Sequence, residues 1–150
     1  MVVAIISILS TITFGYFRQS RLKANDIRRK ADLNSLYKGL LTVYNDTGTF
    51  PSNNNIPWGT ELTASDGTLY MKQVPEDSDT NLPYYVETRD EGKKVAIFSN
   101  LENSEDIEYN KYCPEGTPKT SGYRANNGKI YHYVIFSSNT SFSDFGLNCI

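Results

Sequence analysis

The first seventeen residues contain no charged side chain, and this run constrains the fold more than any other feature of the chain. Residues 1–17 are apolar nearly all round, and their few hydroxyls can bond back to helix carbonyls and are tolerated in lipid. A helix of this length spans about 25 Å, slightly less than a bilayer core. Because such a helix has no polar face, lipid or protein must cover it on every side.

A secretory signal peptide does not fit this segment, because the basic residues follow the apolar run instead of preceding it. No small-residue cleavage site follows the run either, since Gly15 leads into Tyr16-Phe17-Arg18. Gly15 weakens a helix by about 1 kcal/mol relative to Ala, so we predict a hinge there. The apolar positions that we assign to this lipid- or protein-covered helix are Val2, Ile5, Ile6, Ile8, Leu9, Ile12 and Phe14.

A basic block follows directly, and it suits anionic lipid head groups beside a membrane segment. A solvated helix face is the alternative, and the sequence leaves both open. Asp26 interrupts the block and is spaced for an i,i+4 ion pair with Lys30. The six bases of the block are Arg18, Arg21, Lys23, Arg28, Arg29 and Lys30.

The helical pattern then continues as a one-sided apolar stripe, which is typical of a helix packed on a sheet. Gly48 and Pro51 provide the stop signal, so one helix is predicted from near Met1 to about Asp46. The face predicted to pack on the head consists of Leu33, Leu36, Tyr37, Leu40, Leu41 and Tyr44.

The remaining sequence predicts a long surface connection, a β-hairpin around Gly92 and a third strand over residues 128–138. In that strand, even-numbered residues from Ile130 to Phe136 are expected on one face and odd-numbered ones on the other. Trp58, Leu69, Tyr70 and Met71 are expected to pin the connection to the body. The predicted fold class is α+β: a long N-terminal helix, hydrophobic in its first half, packs by its second half on a small antiparallel sheet. Residues 18–150 would form the head.

Cys113 and Cys149 are the two cysteines, and neither lies in a metal-binding or redox motif. A disulfide between them fits an exported domain and would contribute roughly 4 kcal/mol in the chain-entropy model. Two unpaired buried cysteines are the alternative.

The sequence offers no enzyme, and we assign no catalytic residue, no metal site and no cofactor. His132 is the only histidine, and no nucleophile motif accompanies it, so we interpret it as a structural strand residue. The acidic stretches "PEDSDT" and "LENSEDIE" lack EF-hand spacing and are interpreted as solvated loops. Bases interleaved with tyrosines near the C-terminus can hold single-stranded nucleic acid, but tyrosine-rich secreted surfaces look the same, and DNA contact is disfavoured.

Two stretches resemble type IV pilin-like proteins, including the pseudopilins of type II secretion and competence systems. They are "MVVAIISIL", which is similar to the end of the pilin N-terminal segment, and "ADLNSLYKGLLTVYNDTGTFP", which is similar to the end of a pseudopilin helix. The hairpin "LPYYVETRDEGKKVAIFSNLEN" resembles that of some pilin-like proteins. The resemblance covers residues 1–51 well and 82–103 loosely. Gly15 falls where many pilins carry a helix-breaking proline, and no stretch matches the calcium loop of major pseudopilins.

The resemblance implies a structural subunit that is anchored by a single pass in the inner membrane and then assembled into an extracytoplasmic filament. Its partners would be lipid, copies of itself, other pilin-like subunits and the assembly machinery. The family's basic leader, processing glycine and glutamate precede the segment seen here, so we expect the upstream DNA to encode them in frame. A membrane-anchored binding or adhesion domain that does not polymerise is the alternative.

Overall fold

One long helix organises the fold. A computed structural model describes residues 2–116, 118 and 121–150, with side chains from residue 17 onward. Helix α1 spans Val2–Thr47. It ends where Gly48 adopts a positive φ of 75° and donates its N–H to the Tyr44 carbonyl at 2.8 Å. That left-handed cap suits glycine, so the helix ends within a residue or so of the predicted position.

Within the described residues, seven short strands form three antiparallel units. The central sheet has three strands, in the order β3 (Tyr85–Arg89), β4 (Lys94–Ser99) and β7 (Tyr133–Phe136), and a two-stranded ribbon lies before it in the chain and another between β4 and β7. The chain is therefore α+β, as the sequence predicted. The strands are β1 (Leu62–Thr63), β2 (Leu69–Met71), β3 (Tyr85–Arg89), β4 (Lys94–Ser99), β5 (Tyr123–Arg124), β6 (Ile130–Tyr131) and β7 (Tyr133–Phe136).

The predicted hairpin is present: β3 pairs with β4 from Tyr85 opposite Phe98 to Arg89 opposite Lys94. Strand β4 is the middle strand, and its residues from Val95 to Ser99 are all buried. Val95 and Ile97 pack with the helix, whereas Ala96 and Phe98 pack with the C-terminal third. The sheet therefore separates two apolar clusters, one on each face.

Helix α1 packs on the sheet through Leu33, Leu36 and Leu40, which are fully buried. Gly39 permits close contact with β2, because a Cβ atom built there would lie 2.1 Å from the Met71 sulfur. Tyr37 and Tyr44 are half-buried at the margin of the same cluster.

Leu41 was predicted to lie on the packing face, but this is wrong, because 36% of its surface is exposed. It follows Leu40 by one residue, and one residue turns a helix by about 100°. Val43, which the predicted list omitted, is buried in its place.

The third strand differs from the predicted alternation. The predicted strand is interrupted at His132, which separates β6 from β7. Tyr133 and Ile135 pack towards the helix, as one predicted face requires. Tyr131 instead joins Val134 on the opposite cluster, because the break shifts the alternation by one residue.

The disulfide between Cys113 and Cys149 is confirmed, with Cα atoms 5.6 Å apart. Both cysteines pack against the apolar cluster on the far side of the sheet from the helix. The C-terminal segment is also held by backbone bonds of 3.0 and 3.2 Å between Gly122 and Ile150. The disulfide therefore closes the C-terminal layer over the sheet.

The long connection after the helix is more structured than predicted. Phe50, Ile56 and Val74 are buried in the helix-side cluster, and Trp58 packs at its margin. Leu69, which was expected to pin this segment, is instead 52% exposed. It faces outward in the short β1–β2 ribbon, so its neighbours Tyr70 and Met71 make the contact.

Candidate interaction surface of the helix

A buried ion cluster fixes the helix to the head. Arg29 is buried, and its Nε lies 3.0 Å from Asp77 Oδ2. Its Nη1 lies 2.7 Å from Glu102 Oε1 and 3.5 Å from Asp26 Oδ1. Burial lowers the pKa of Arg29, but Asp77 and Glu102 outweigh that effect and raise it, so the guanidinium stays charged. One cation therefore joins the helix to two distant loops.

Asp26 makes the second part of this attachment. Its two carboxylate oxygens accept the backbone N–H groups of Glu102 and Asn103, both at 2.8 Å. Asp77 likewise accepts the N–H of Asp79 at 3.0 Å. These bonds distribute the excess negative charge, which matters because a buried charge without partners is costly.

Two further polar contacts extend the attachment along the helix. Lys30 pairs with Asp106 and lies 5.6 Å from the centre of the Tyr133 ring. Tyr84 donates its hydroxyl to Asp32 at 2.9 Å, and burial together with that bond raises its pKa. The predicted pair of Asp26 with Lys30 is therefore wrong, because each finds a loop partner.

The helix surface upstream of Asp26 is exposed, in contrast to the buried ion cluster. Phe17 is 63% exposed, and Ile27 beside the cluster is 67% exposed. A groove of about 320 Å³ lies where this stretch meets Glu102, lined by Phe17, Arg18, Arg21, Leu22 and Asn25. The exposed bases of this stretch are Arg18, Arg21, Lys23 and Arg28. We call residues 17–25 with Ile27 and Arg28 the exposed helix sector.

Sequence reasoning missed the buried roles of Asp26 and Arg29. A signal was present, because these positions continue the spacing of Leu33, Leu36 and Leu40 towards the N-terminus. Charged residues on the core-facing side of a helix imply partners of opposite charge, and the two acidic loops supply them. Those loops, interpreted from sequence as solvated, are therefore ion-pairing elements.

The residues assigned to the membrane or filament-core helix lie outside the part whose side chains are described. The hinge predicted at Gly15 lies there too and stays a prediction. Over the described residues, no helix combines the length and apolarity needed to cross a bilayer. The positions outside the described side chains are Val2, Ile5, Ile6, Ile8, Leu9, Ile12, Phe14 and Gly15.

His132 lies in a structural environment. Its ring stacks on Tyr109 with centroids 4.4 Å apart, and Nδ1 contacts the Asn100 side-chain oxygen. Burial lowers the pKa of His132, which keeps the ring neutral near pH 7. Among the residues with described positions, no group of three or more His, Cys, Asp or Glu is placed to hold a metal ion.

When the chain is compared with known proteins, no family model, curated protein or solved structure matches it.

Proposed function

We propose that this chain is a structural subunit of a pilin-like filament, of the type IV pilus or pseudopilus kind, anchored in a membrane before assembly. The observation that carries the proposal is helix Val2–Thr47, whose buried contacts with the head begin, among the side chains that the structure describes, at Asp26. Residues 1–17 of the chain contain no charged side chain. A subunit that transfers from lipid into a helix bundle needs one uncharged helix segment for the lipid and the bundle and a second segment that is attached to its head.

The attachment supports the proposal mechanically. Extraction from a membrane pulls on the helix, and the head must follow without separating from it. The Arg29 cluster, the Lys30–Asp106 pair and the leucine stripe join helix and head over several turns. The disulfide closes the layer on the other side of the sheet and fits an oxidising compartment.

A substitution in the apolar run tests polymerisation. Replacing Ile8 by Lys in the protein as the cell makes it should abolish filaments, because a lysine at the centre of a membrane helix costs about 3 kcal/mol. The same lysine would be an unpaired charge among packed helices. Electron microscopy of sheared material, with the amount of protein in the membrane checked by immunoblot, measures the effect.

Ile8→Leu is the matched control and should leave filaments unchanged. Normal filaments that incorporate Ile8→Lys would contradict the proposal. Ile8→Cys separates a polymer from a simple anchor, because copies should cross-link to one another through this position only if the apolar helices pack together. Monomeric Ile8→Cys after oxidation of intact cells would favour the anchored, non-polymerising domain.

A further inference from the structure

A cleft of about 580 Å³ opens between the loop after the helix, the acidic loop at Glu76, the start of β3 and the β5–β6 turn. Its volume is typical of small-molecule sites. Two aromatic pairs line it. Trp58 lies 6.5 Å from Tyr84, and Tyr85 lies 6.3 Å from Tyr131, measured between ring centres. Trp58 and Tyr85 are only half-buried, so part of each ring remains open to a ligand.

The cleft is held in shape by hydrogen bonds. The buried Tyr84 donates its hydroxyl to Asp32 at 2.9 Å. The buried Tyr131 accepts a bond from the Asn127 side-chain amide at 3.0 Å. Because Tyr84 and Tyr131 are already held by these bonds, little conformational entropy is lost in ordering them when a ligand binds.

The exposed polar groups of the cleft are nearly balanced in charge. Glu76 and Lys129 are both exposed and carry opposite charges, and the Lys129 ammonium donates to the Asn81 carbonyl at 2.7 Å. Asn54 adds a side-chain amide that can donate and accept hydrogen bonds, whereas the Asn127 amide is already bonded to Tyr131 and to the Lys129 N–H. A phosphate-rich ligand would need a positively charged groove, so the cleft suits a neutral, hydroxyl-rich ligand better.

We propose that this cleft binds a neutral sugar unit of an oligosaccharide. The apolar C–H face of a sugar ring carries slight positive charge and packs on the negative face of an aromatic ring. Trp58 and Tyr85 supply those faces, while Asn54 and Glu76 are placed for the hydroxyl groups. This binding site does not depend on whether the chain polymerises, and it would give the head a recognition role in either case.

Trp58 is the only tryptophan of the chain, so its fluorescence reports on this cleft alone. The full chain in detergent is titrated with maltotriose, cellotriose and triacetylchitotriose. We expect a saturable change with at least one of them, with a midpoint of about 1 mM or below. Asn54→Ala should raise that midpoint about fivefold, because it removes one hydrogen-bonding amide. Asn148→Ala, an exposed asparagine that does not line the cleft, is the matched control and should leave it unchanged.

Three outcomes would overturn the inference. The first is no saturable change with any of the three sugars. The second is an equal midpoint for Asn54→Ala and the unsubstituted chain, which would place the sugar elsewhere. The third is saturation by oligothymidylate in place of the sugars, which would assign the cleft to nucleic acid. Ellipticity spectra of both variants check that the head remains folded.

Discussion

Arg21 and Arg29 lie about two turns apart on one helix, yet their surroundings are opposite. Arg21 is exposed in the groove beside Phe17. Arg29 is buried among three carboxylates from the helix and two loops. The sequence presents both as members of one basic block, so local composition does not separate them. Arg29 continues the buried leucine stripe, and the acidic loops pack over it there, so it becomes the structural arginine.

This contrast divides the basic block into two parts. Arg29 and Lys30 join the helix to the head, whereas the bases upstream remain exposed. The boundary lies at Asp26, the first fully buried residue of the helix within the part whose side chains are described. The exposed upstream bases are therefore available for the contacts proposed above, whereas Arg29 and Lys30 are occupied by the attachment.

Arg29→Ala should cause the largest loss in the free energy of unfolding. It leaves Asp26 and Asp77 buried without their cation, and breaking a buried ion pair in this way costs about 3–5 kcal/mol. Urea unfolding of the head measures the loss. Arg21→Ala is the matched control and should change the free energy of unfolding by less than about 0.5 kcal/mol. Similar losses in the two variants would show that burial of Arg29 has no energetic consequence.

A second pair of variants compares two leucines of the same helix. Leu36→Ala removes a fully buried side chain and should cost about 2–5 kcal/mol. Leu41→Ala should cost less than about 1 kcal/mol, because Leu41 is 36% exposed and its truncation leaves little cavity. Thermal unfolding measures both. A larger loss for Leu41→Ala would restore the packing face that the sequence predicted.

Acid should weaken the attachment through Asp106. Burial raises the pKa of this carboxyl, but the Lys30 ammonium and the Glu108 N–H outweigh it and hold the pKa below the ordinary 3.8. A carboxyl with a lower pKa in the folded state stabilises the fold above its ordinary pKa and loses that contribution as the pH falls further. The free energy of unfolding should therefore decrease below about pH 4.

Lys30→Met tests the source of that pH dependence. Without the ammonium, the pKa of Asp106 should rise towards its ordinary value, so this variant should lose less stability between about pH 4 and pH 2. An unchanged slope in Lys30→Met would mean that other carboxyls cause the acid sensitivity.

Removal of residues 1–17 should have the smallest effect on the head. Phe17 is 63% exposed, and the described packing begins at Asp26. We expect the remaining chain to be a monomer in solution, with a free energy of unfolding within about 0.5 kcal/mol of the complete protein in detergent. Sedimentation and urea unfolding measure this, and loss of cooperative unfolding would show that the apolar run belongs to the core of the head.

Much of the fold could be predicted from local patterns. The spacing of Leu33, Leu36 and Leu40 predicted the buried face of the helix, and Gly48 predicted its end. Gly92 predicted the hairpin turn between β3 and β4. The β5–β6 ribbon and the β1–β2 ribbon were not predicted, because two- and three-residue strands leave almost no periodic signal.

The buried ion cluster and the exposed helix sector were predicted less well, because the groups that pair in the cluster lie far apart in the sequence. Helix periodicity and turn chemistry depend on neighbouring residues, so the sequence by itself determined the long helix, its stripe and the hairpin. Arg29 and Asp77 are 48 residues apart, and Asp26 and the Glu102 N–H are 76 apart. Only the tertiary structure could bring these groups together and bury them. It likewise decided which bases stay exposed and which aromatic rings line the cleft, because burial depends on what packs against a side chain.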